Sequence, residues 1–271
     1  MLPHTQNRPG RLAVVIPALN EEAFIGHLLE SLTRQSYQDF EVIIVDSQSD
    51  DRTCEVAEEY RGRLPALKIV RAPERGLALA RNTGVQASEA MFIVFMDADG
   101  VVGPAFLDDL VCGMKRKGLQ IATTLVRPDS TRIVDRLFYS VCIGWGLRIL
   151  QYFFPIVTGS CIAVQRDIFE AVGGFDSTMQ FEDSAFAKEA ARRGRFRVLA
   201  HPFVTTSVRR LDTYGRLRTL YKLVFFGVLR RMVGGEMRLI EGFYQFGGYG
   251  KITSENKHGA QNNSSVNPTV G

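Results

Sequence analysis

The first hundred residues alternate short apolar runs with segments of helical periodicity, and this alternation limits the possible folds more than any other feature. The apolar runs 12–16, 42–45, 67–70 and 91–96 predict four strands, and apolar residues at helical spacing follow the first three. Strands that are apolar along their whole length are typical of a parallel sheet covered by helices on both faces. We therefore predict an α/β fold with a mainly parallel sheet.

Polar loops follow the four predicted strands, at 17–22, 46–51, 75–82 and 97–100. Right-handed crossovers place the carboxyl ends of parallel strands at one edge of the sheet, and ligands of such sheets bind at that edge. We therefore predict that the four loops meet in one crevice.

Two of these loops carry side chains suited to local capping. Asn20, followed by Glu21 and Glu22, is predicted to be the N-cap of the first helix, with two acids in the first turn. Asp46 has two interpretations. It either accepts hydrogen bonds from a base or ribose, as acids at this place do in nucleotide folds, or closes an Asx turn.

Asp97 and Asp99 follow a hydrophobic strand and are separated by one residue. In an extended chain such residues project to the same side, so both carboxylates can address one point. Hard oxygen ligands of this kind suit Mg²⁺ or Mn²⁺, whose shell is normally completed by substrate phosphates. The alternative is a solvated acidic turn.

Charged pairs elsewhere also have two interpretations. Arg75 and Arg81 either pair with phosphate in the crevice or are ordinary exposed charges. Glu182 and Asp183 begin a predicted helix. They are either a charged first turn that the helix dipole stabilises, or a pair of which one accepts a proton from a reacting hydroxyl. Adjacent helix residues do not face each other, so only one of the two can aim at a given hydroxyl.

Composition places few limits on the partner. The net charge of +4 gives no reason to expect nucleic acid. Four scattered cysteines lack zinc spacing and are interpreted as reduced core residues of a cytoplasmic protein.

Two later segments suggest a surface role. In 211–253, basic residues alternate with apolar ones at helical spacing, and 137–157 is unusually apolar. These segments either lie on an anionic membrane surface, at the cytoplasmic face, or pack on the core. Arg148 and Pro155 interrupt the second segment and disfavour a transmembrane span.

Seven motifs, taken in order, resemble the family 2 glycosyltransferases, which have the GT-A fold. The motifs are Val14–Glu22, Ile44–Asp51, Gly76–Gly84, Asp97–Asp99, Thr158–Ser160, Gly173–Asp176 and Glu182–Asp183. The resemblance covers roughly 12–210 and implies a catalytic domain over 11–210, with a nucleotide-binding half at 11–100 and an acceptor half at 101–210. The remaining predicted parts are a flexible N-terminus at 1–10, amphipathic helices at 211–253 and a disordered tail at 254–271.

The resemblance implies a role for individual residues. It places Mg²⁺ or Mn²⁺ on Asp97 and Asp99, and the catalytic base on the Glu182–Asp183 pair, usually its aspartate. It also implies donor contacts from Pro17, Asn20, Glu22, Asp46, Arg81, Asp97 and the basic element Arg209–Arg210. The implied reaction transfers a sugar, with inversion, from a nucleotide-diphosphate sugar to a hydroxyl or phosphate of a glycan or lipid-linked acceptor. The Q-x-x-R-W element of processive polysaccharide synthases is absent from the sequence.

The sequence fits three other classes of protein less well. A sugar-nucleotide pyrophosphorylase would be expected to carry a G-x-G-x-R loop after the first strand, where this chain has 17–20. An oxidoreductase is disfavoured because G-x-G-x-x-G is missing. A degenerate, membrane-associated scaffold would keep the fold, but intact Asp97, Asp99 and Asp183 argue against it.

Overall fold

A computed structural model of the protein describes residues 12–152, 155, 157–179 and 181–209, without the side chains of residues 142 and 143. It contains one sheet of eight strands, in the order β3-β2-β1-β4-β7-β6-β8-β5. The strands are β1 (Leu12–Ala18), β2 (Phe40–Asp46), β3 (Leu67–Arg71), β4 (Phe92–Met96), β5 (Gly100–Val102), β6 (Ile121–Asp129), β7 (Cys161–Gln165) and β8 (Phe196–Ser207).

Helices connect these strands. They are α1 (Ile25–Thr33), α2 (Thr53–Glu58), α3 (Leu77–Gln86), α4 (Phe106–Lys117), α5 (Ile133–Phe138), α6 (Gly146–Leu150), α7 (Arg166–Val172) and α8 (Glu182–Arg193). A π-helix, Tyr139–Trp145, joins α5 to α6.

The parallel half of the sheet is the half predicted from the apolar runs. β1 pairs in parallel with β2 and β4, and β2 pairs in parallel with β3. The second half is mixed, because β7 runs antiparallel to both β4 and β6, whereas β6 and β8 are parallel. The predicted α/β fold with a mainly parallel nucleotide-binding half is therefore confirmed.

Alternate residues of β1 supply the two faces of the core. Leu12, Val14 and Ile16 pack on the side of α1 and α4, whereas Ala13 and Val15 pack on the side of α3, α7 and α8. A strand that is buried on both faces must be apolar throughout, which explains why its sequence shows no alternation.

The first helix begins later than predicted, and the prediction that Asn20 is its N-cap is wrong. The amides of Phe24 and Ile25 donate to the carbonyl of Glu21, forming a separate turn, and α1 starts at Ile25 with no acid in its first turn. Asn20 instead adopts a left-handed φ of 57° and contacts the next loop.

The cysteines only partly follow the prediction. Cys161 is buried and Cys54 is half-buried, but Cys112 is exposed because it lies on the outward side of α4. The prediction that the cysteines are core residues is wrong for Cys112.

Much of the apolar segment after β6 is exposed, although Leu147 packs against the core. Eight large hydrophobic side chains between residues 133 and 152 are exposed, among them Ile133 at 80% and Trp145 at 61%. No helix within the described ranges is long and apolar enough to cross a membrane. The predicted segments 1–10, 211–253 and 254–271 lie outside the described residues.

Gly84 lets α3 approach the sheet closely. A Cβ at this position would lie 2.3 Å from Cγ1 of Val15 and 3.1 Å from Cγ2 of Val45. We expect Gly84→Ala to lower the free energy of unfolding by about 1–3 kcal/mol, since the overpacking outweighs the gain in helix propensity. Urea denaturation measures the change.

Gly103→Ala is the matched control, because a Cβ at Gly103 meets nothing within 4 Å. Its effect should stay within about 0.5 kcal/mol. Equal stability of Gly84→Ala and the wild type would contradict this account of the α3 contact.

Candidate active site

The loops after β1, β2 and β3 meet at one edge of the sheet and are joined by hydrogen bonds. The amide of Asn20 donates to Oγ of Ser49 at 3.0 Å, and Oδ1 of Asn20 accepts the amide of Asp50 at 2.9 Å. Arg75 reaches back from the third loop to the carboxylate of Asp50 at 2.8 Å. Arg75 therefore contributes to the loop framework.

Asp46 closes a turn and is buried. Its Oδ1 accepts the amide of Ser49, three residues further along the chain, at 3.0 Å, so the carboxylate makes a local capping contact, and the residue is 4% exposed. Burial, followed by the neighbouring Asp46 carboxylate, raises the pKa of the Cys54 thiol to about 11. Pro17 is buried within β1, opposite Val45.

Arg81 joins the two halves of the domain. Its side chain is 1% exposed, its Nη1 donates to Oε1 of Glu182 at 2.9 Å, and its Nη2 lies 3.7 Å from Oδ1 of Asp97. Its guanidinium carbon also lies 5.0 Å from the centre of the Phe175 ring. A buried guanidinium needs such partners, because leaving the charge unpaired would be costly. Arg81 is thus not the exposed helix charge that the sequence left open.

Three of the predicted site residues converge on one point beside Gly159. A Cβ on Gly159 would lie 3.4 Å from Oδ2 of Asp183, 3.7 Å from Nη2 of Arg81 and 3.9 Å from Oδ2 of Asp97. Asp183 also accepts the amide of Ser184 through its other oxygen, Oδ1, at 2.6 Å. As predicted from the helix geometry, the two neighbouring acids diverge: Glu182 pairs with Arg81, whereas Asp183 lies against Gly159.

Arg209 forms a second charged cluster. Its two terminal nitrogens donate to both carboxylate oxygens of Glu21, at 2.8 and 2.9 Å, and Nη2 lies 3.3 Å from Oδ2 of Asp99. The guanidinium also lies over the Phe24 ring, 4.6 Å from its centre. Arg209 is therefore in the site, whereas Arg210 lies outside the described residues.

Glu21 is a site residue that the sequence did not single out. Its side chain is 13% exposed and it reaches Arg209, whereas the neighbouring Glu22 is exposed and accepts the amide of Arg52 at 3.1 Å. Two adjacent acids in a turn are indistinguishable by type. Only the path of the turn decides which one enters the cluster.

Negative charge predominates where the two clusters meet. Five carboxylates (Glu21, Asp97, Asp99, Glu182 and Asp183) face two guanidiniums, those of Arg81 and Arg209. Burial raises the pKa of Glu21, although the Arg209 hydrogen bonds oppose the rise. Burial also raises the pKa of Glu182 to about 7, opposed by Arg81 and reinforced by the charge of Asp183.

The donor set fits a hard divalent cation, provided that a ligand completes its shell. Asp97 and Asp99 offer carboxylate oxygens on one loop, and the surrounding excess of acid favours a cation. Among the described residues, no group of three or more Asp, Glu, His or Cys side chains could hold a metal ion by itself.

The chain matches a known family over this region. The profile described as glycosyl transferase family 2 matches residues 13–173, which is more than half of the chain. The protein therefore belongs to glycosyl transferase family 2, as its motifs predicted.

Curated relatives agree with this assignment. The uncharacterised glycosyltransferase EpsJ of Bacillus subtilis is 34% identical over 205 residues, which cover 67% of this chain and 56% of EpsJ. The poly(ribitol-phosphate) beta-N-acetylglucosaminyltransferase TarS of Staphylococcus aureus is 33% identical over 103 residues, 36% of this chain and 18% of TarS. The chain thus spans about half, or less, of the length of these relatives.

Solved structures show the same fold. TarS from S. aureus in complex with UDP-GlcNAc aligns with a TM-score of 0.60 and 21% identity, over 72% of this chain and 58% of that one. The mannosyltransferase PcManGT from Pyrobaculum calidifontis, in complex with GDP-Man and Mn²⁺, aligns with a TM-score of 0.62 and 22% identity, over 98% and 79%. These alignments confirm the predicted GT-A type of fold.

The raised pKa of Glu182 predicts how stability depends on pH. The folded protein holds the proton of the Glu182 carboxyl more tightly than the unfolded chain does. The protonated carboxyl therefore contributes fully to the free energy of unfolding below pH 4.5, and this contribution is lost as the pH rises to about 7. We expect Glu182→Gln to remove a fall of roughly 1–3 kcal/mol in the free energy of unfolding across this window. Urea denaturation at several pH values measures this change.

Glu189→Gln on the same helix is the control. Hydrogen bonds from Arg193 and Arg192 lower the pKa of the half-buried Glu189, so its removal should leave the fall in place. An unchanged fall in Glu182→Gln would show that Glu182 is not its source.

Proposed function

We propose that this protein transfers a sugar from a nucleotide-diphosphate sugar to an acceptor hydroxyl or phosphate, with inversion, using Mg²⁺ or Mn²⁺. The convergence of Asp183, Arg81 and Asp97 within 4 Å of one point beside Gly159 carries this proposal. It unites a candidate base, a fixed cation and a candidate metal ligand from both halves of the domain. The absence of a Cβ at Gly159 leaves space there for the reacting groups.

In this proposal Asp183 is the catalytic base. A carboxylate within hydrogen-bond reach accepts the proton of the acceptor hydroxyl as its oxygen attacks the anomeric carbon. The bond between that carbon and the diphosphate oxygen breaks in the same step. Glu182 stays paired with Arg81 and acts as a positioning residue that fixes the start of α8.

The leaving diphosphate takes up negative charge, and groups already in place stabilise it. Asp97 and Asp99 are the residues that would hold the metal, which when bound acts as a Lewis acid on phosphoryl oxygens. Arg81 and Arg209 supply fixed positive charge, and Arg209 has the planar fork suited to phosphate. Binding of the diphosphate to Arg209 would compete with its present contacts to Glu21 and Asp99.

The donor's base and ribose would lie near the loops after β1 and β2. Asn20 holds these loops together through Ser49 and Asp50, and Asp46 fixes the second loop. Glu22 supports the same region through the amide of Arg52. Relatives of known donor bind UDP-GlcNAc or GDP-Man, so both uridine and guanosine sugars are candidates.

The proposed acceptor is a glycan or a lipid-linked sugar precursor, met at the cytoplasmic face of an anionic membrane. TarS, whose name specifies poly(ribitol-phosphate), illustrates a phosphate-bearing glycan as acceptor in the family. The exposed apolar residues between 133 and 152 support membrane contact.

Donor binding tests the metal site. We expect Asp99→Asn to weaken Mn²⁺-dependent binding of one nucleotide sugar by at least about tenfold, since it removes a charged oxygen ligand. Calorimetry with UDP-, GDP- and dTDP-sugars, with and without Mn²⁺, measures this affinity. Asp109→Asn, which alters the exposed pair with His201, is the control.

A folded wild-type protein that binds none of these nucleotides would contradict the transferase proposal. That result would favour the scaffold alternative.

Turnover tests the base. We expect Asp183→Asn to lower the rate of nucleoside-diphosphate release by about 10²–10⁴-fold, since general-base catalysis is lost, while donor affinity stays within about threefold. The assay uses the donor that calorimetry identifies, with a cell-envelope extract as the source of acceptor. Glu170→Gln on α7 should behave like the wild type, whereas near-normal turnover by Asp183→Asn would exclude Asp183 as the base.

A further inference from the structure

One segment projects most of the exposed apolar surface of the described chain. We call residues 132–152, which include α5, the π-helix and α6, the arm. Ten large hydrophobic side chains are exposed in the described part, and eight belong to the arm, whereas Met91 and Val101 lie elsewhere. A contiguous concentration of this kind marks an interaction surface more often than chance exposure does.

The arm is held in place at both ends. At its start, Oγ of Ser130 donates to the buried carboxylate of Asp135 at 2.7 Å. At its end, Oε1 of Gln151 accepts the amide of Val198 at 2.8 Å, and Leu147 packs against the core. The exposed side chains between these ends are therefore presented on a fixed support.

The exposed charges of the arm are all positive. Arg132, Arg136 and Arg148 are exposed, whereas the only acid in the arm, Asp135, is 1% exposed. Trp145 and Tyr152 add exposed aromatic rings with one polar edge, a type enriched where apolar and aqueous phases meet. Apolar, basic and aromatic residues together are the composition of a surface that lies in the interface of an anionic bilayer.

From this composition we propose that the arm docks on an anionic lipid membrane, with Val141, Trp145 and Ile149 entering the interface. A second copy of the chain would oppose arginine to arginine, which is unfavourable. The segment after Arg209 is itself rich in Arg and Lys, so it is no better match in charge. The phosphate groups of an anionic lipid have the charge opposite to that of the arginines. The apolar side chains can be buried at the boundary between the headgroups and the acyl chains.

The base of the arm adjoins the candidate active site. Arg132 and Arg136 line a cavity of about 420 Å³ together with one acid, Asp129, and with Val208. The residue after Val208 is Arg209, which contacts Asp99. A lipid-borne acceptor in the docked membrane would thus have its phosphate beside this cavity. This part of the inference rests on the proposed function.

Vesicle flotation of the full chain tests the docking. The vesicles contain equal parts of phosphatidylcholine and phosphatidylglycerol, with phosphatidylcholine alone for comparison. We expect the wild type to float with the anionic vesicles and the triple variant Val141→Ser, Trp145→Ser, Ile149→Ser to lose at least about tenfold in partitioning. Met91→Ser with Val101→Ser, which removes exposed apolar groups outside the arm, should float like the wild type.

The charges are tested separately. Arg132→Gln with Arg148→Gln should weaken flotation severalfold and reduce its salt dependence, whereas Arg116→Gln with Lys117→Gln on α4 should change neither. Equal flotation of the triple variant and the wild type would overturn the proposal. A wild type that does not bind the vesicles would also overturn it. If, in addition, the triple variant changed the oligomeric mass in light scattering, the arm would be a contact between copies of the chain.

Donor calorimetry on the triple variant separates the two proposals. Unchanged nucleotide-sugar affinity with lost flotation supports the arm as a docking surface. A wild type that floats but binds no nucleotide would overturn the proposed function and leave the docking surface standing.

Discussion

The buried ion pair between Arg81 and Glu182 is the interaction on which the rest of the site depends. Arg81 comes from α3, in the parallel half of the sheet, and Glu182 begins α8, in the mixed half. With its side chain 1% exposed, Arg81 has almost no access to water, so its charge must be met by protein groups. Glu182 and Asp97 meet it, and this requirement fixes α8 relative to the end of β4.

Fixing α8 in this way also places Asp183. Because successive helix residues diverge, anchoring Glu182 to Arg81 sends Asp183 towards Gly159 and the loop of Asp97. The two adjacent acids therefore have different contacts. Glu182 binds the framework, and in the proposed mechanism Asp183 accepts the proton of the acceptor. Exchanging their roles would require turning the helix.

Electrostatics link the two charged clusters. Five carboxylates against two guanidiniums leave the site with excess negative charge. Burial is the main cause of the raised pKa values of Glu21 and Glu182, and neighbouring carboxylates add to it. A divalent cation would offset part of that excess, while a diphosphate would bring negative charge to Arg81 and Arg209. Five carboxylates and two guanidiniums leave three excess negative charges, of which a divalent cation would offset two before a diphosphate enters.

Much of the fold and part of the site followed from local pattern. The apolar runs predicted the strands because a doubly covered strand has no polar face, and the D-x-D spacing placed Asp97 and Asp99 on one loop. The prediction that Asn20 is the N-cap of α1 is wrong because a separate turn at Glu21 precedes the helix, which begins at Ile25. The resemblance implied Arg209, but the place of Glu21 in the site depends on its contact with Arg209, 188 positions away, which no local pattern encodes.

A crystal structure with Mn²⁺ and the nucleoside diphosphate tests the central claim most directly, since the anomalous signal of manganese locates the ion. The account predicts an anomalous peak within coordination distance of Asp97 or Asp99, with the diphosphate near Arg81 or Arg209 and the carboxylate of Asp183 free to face an acceptor. A manganese ion bound elsewhere, or a diphosphate seated outside the crevice between Asp46 and Gly159, would contradict it.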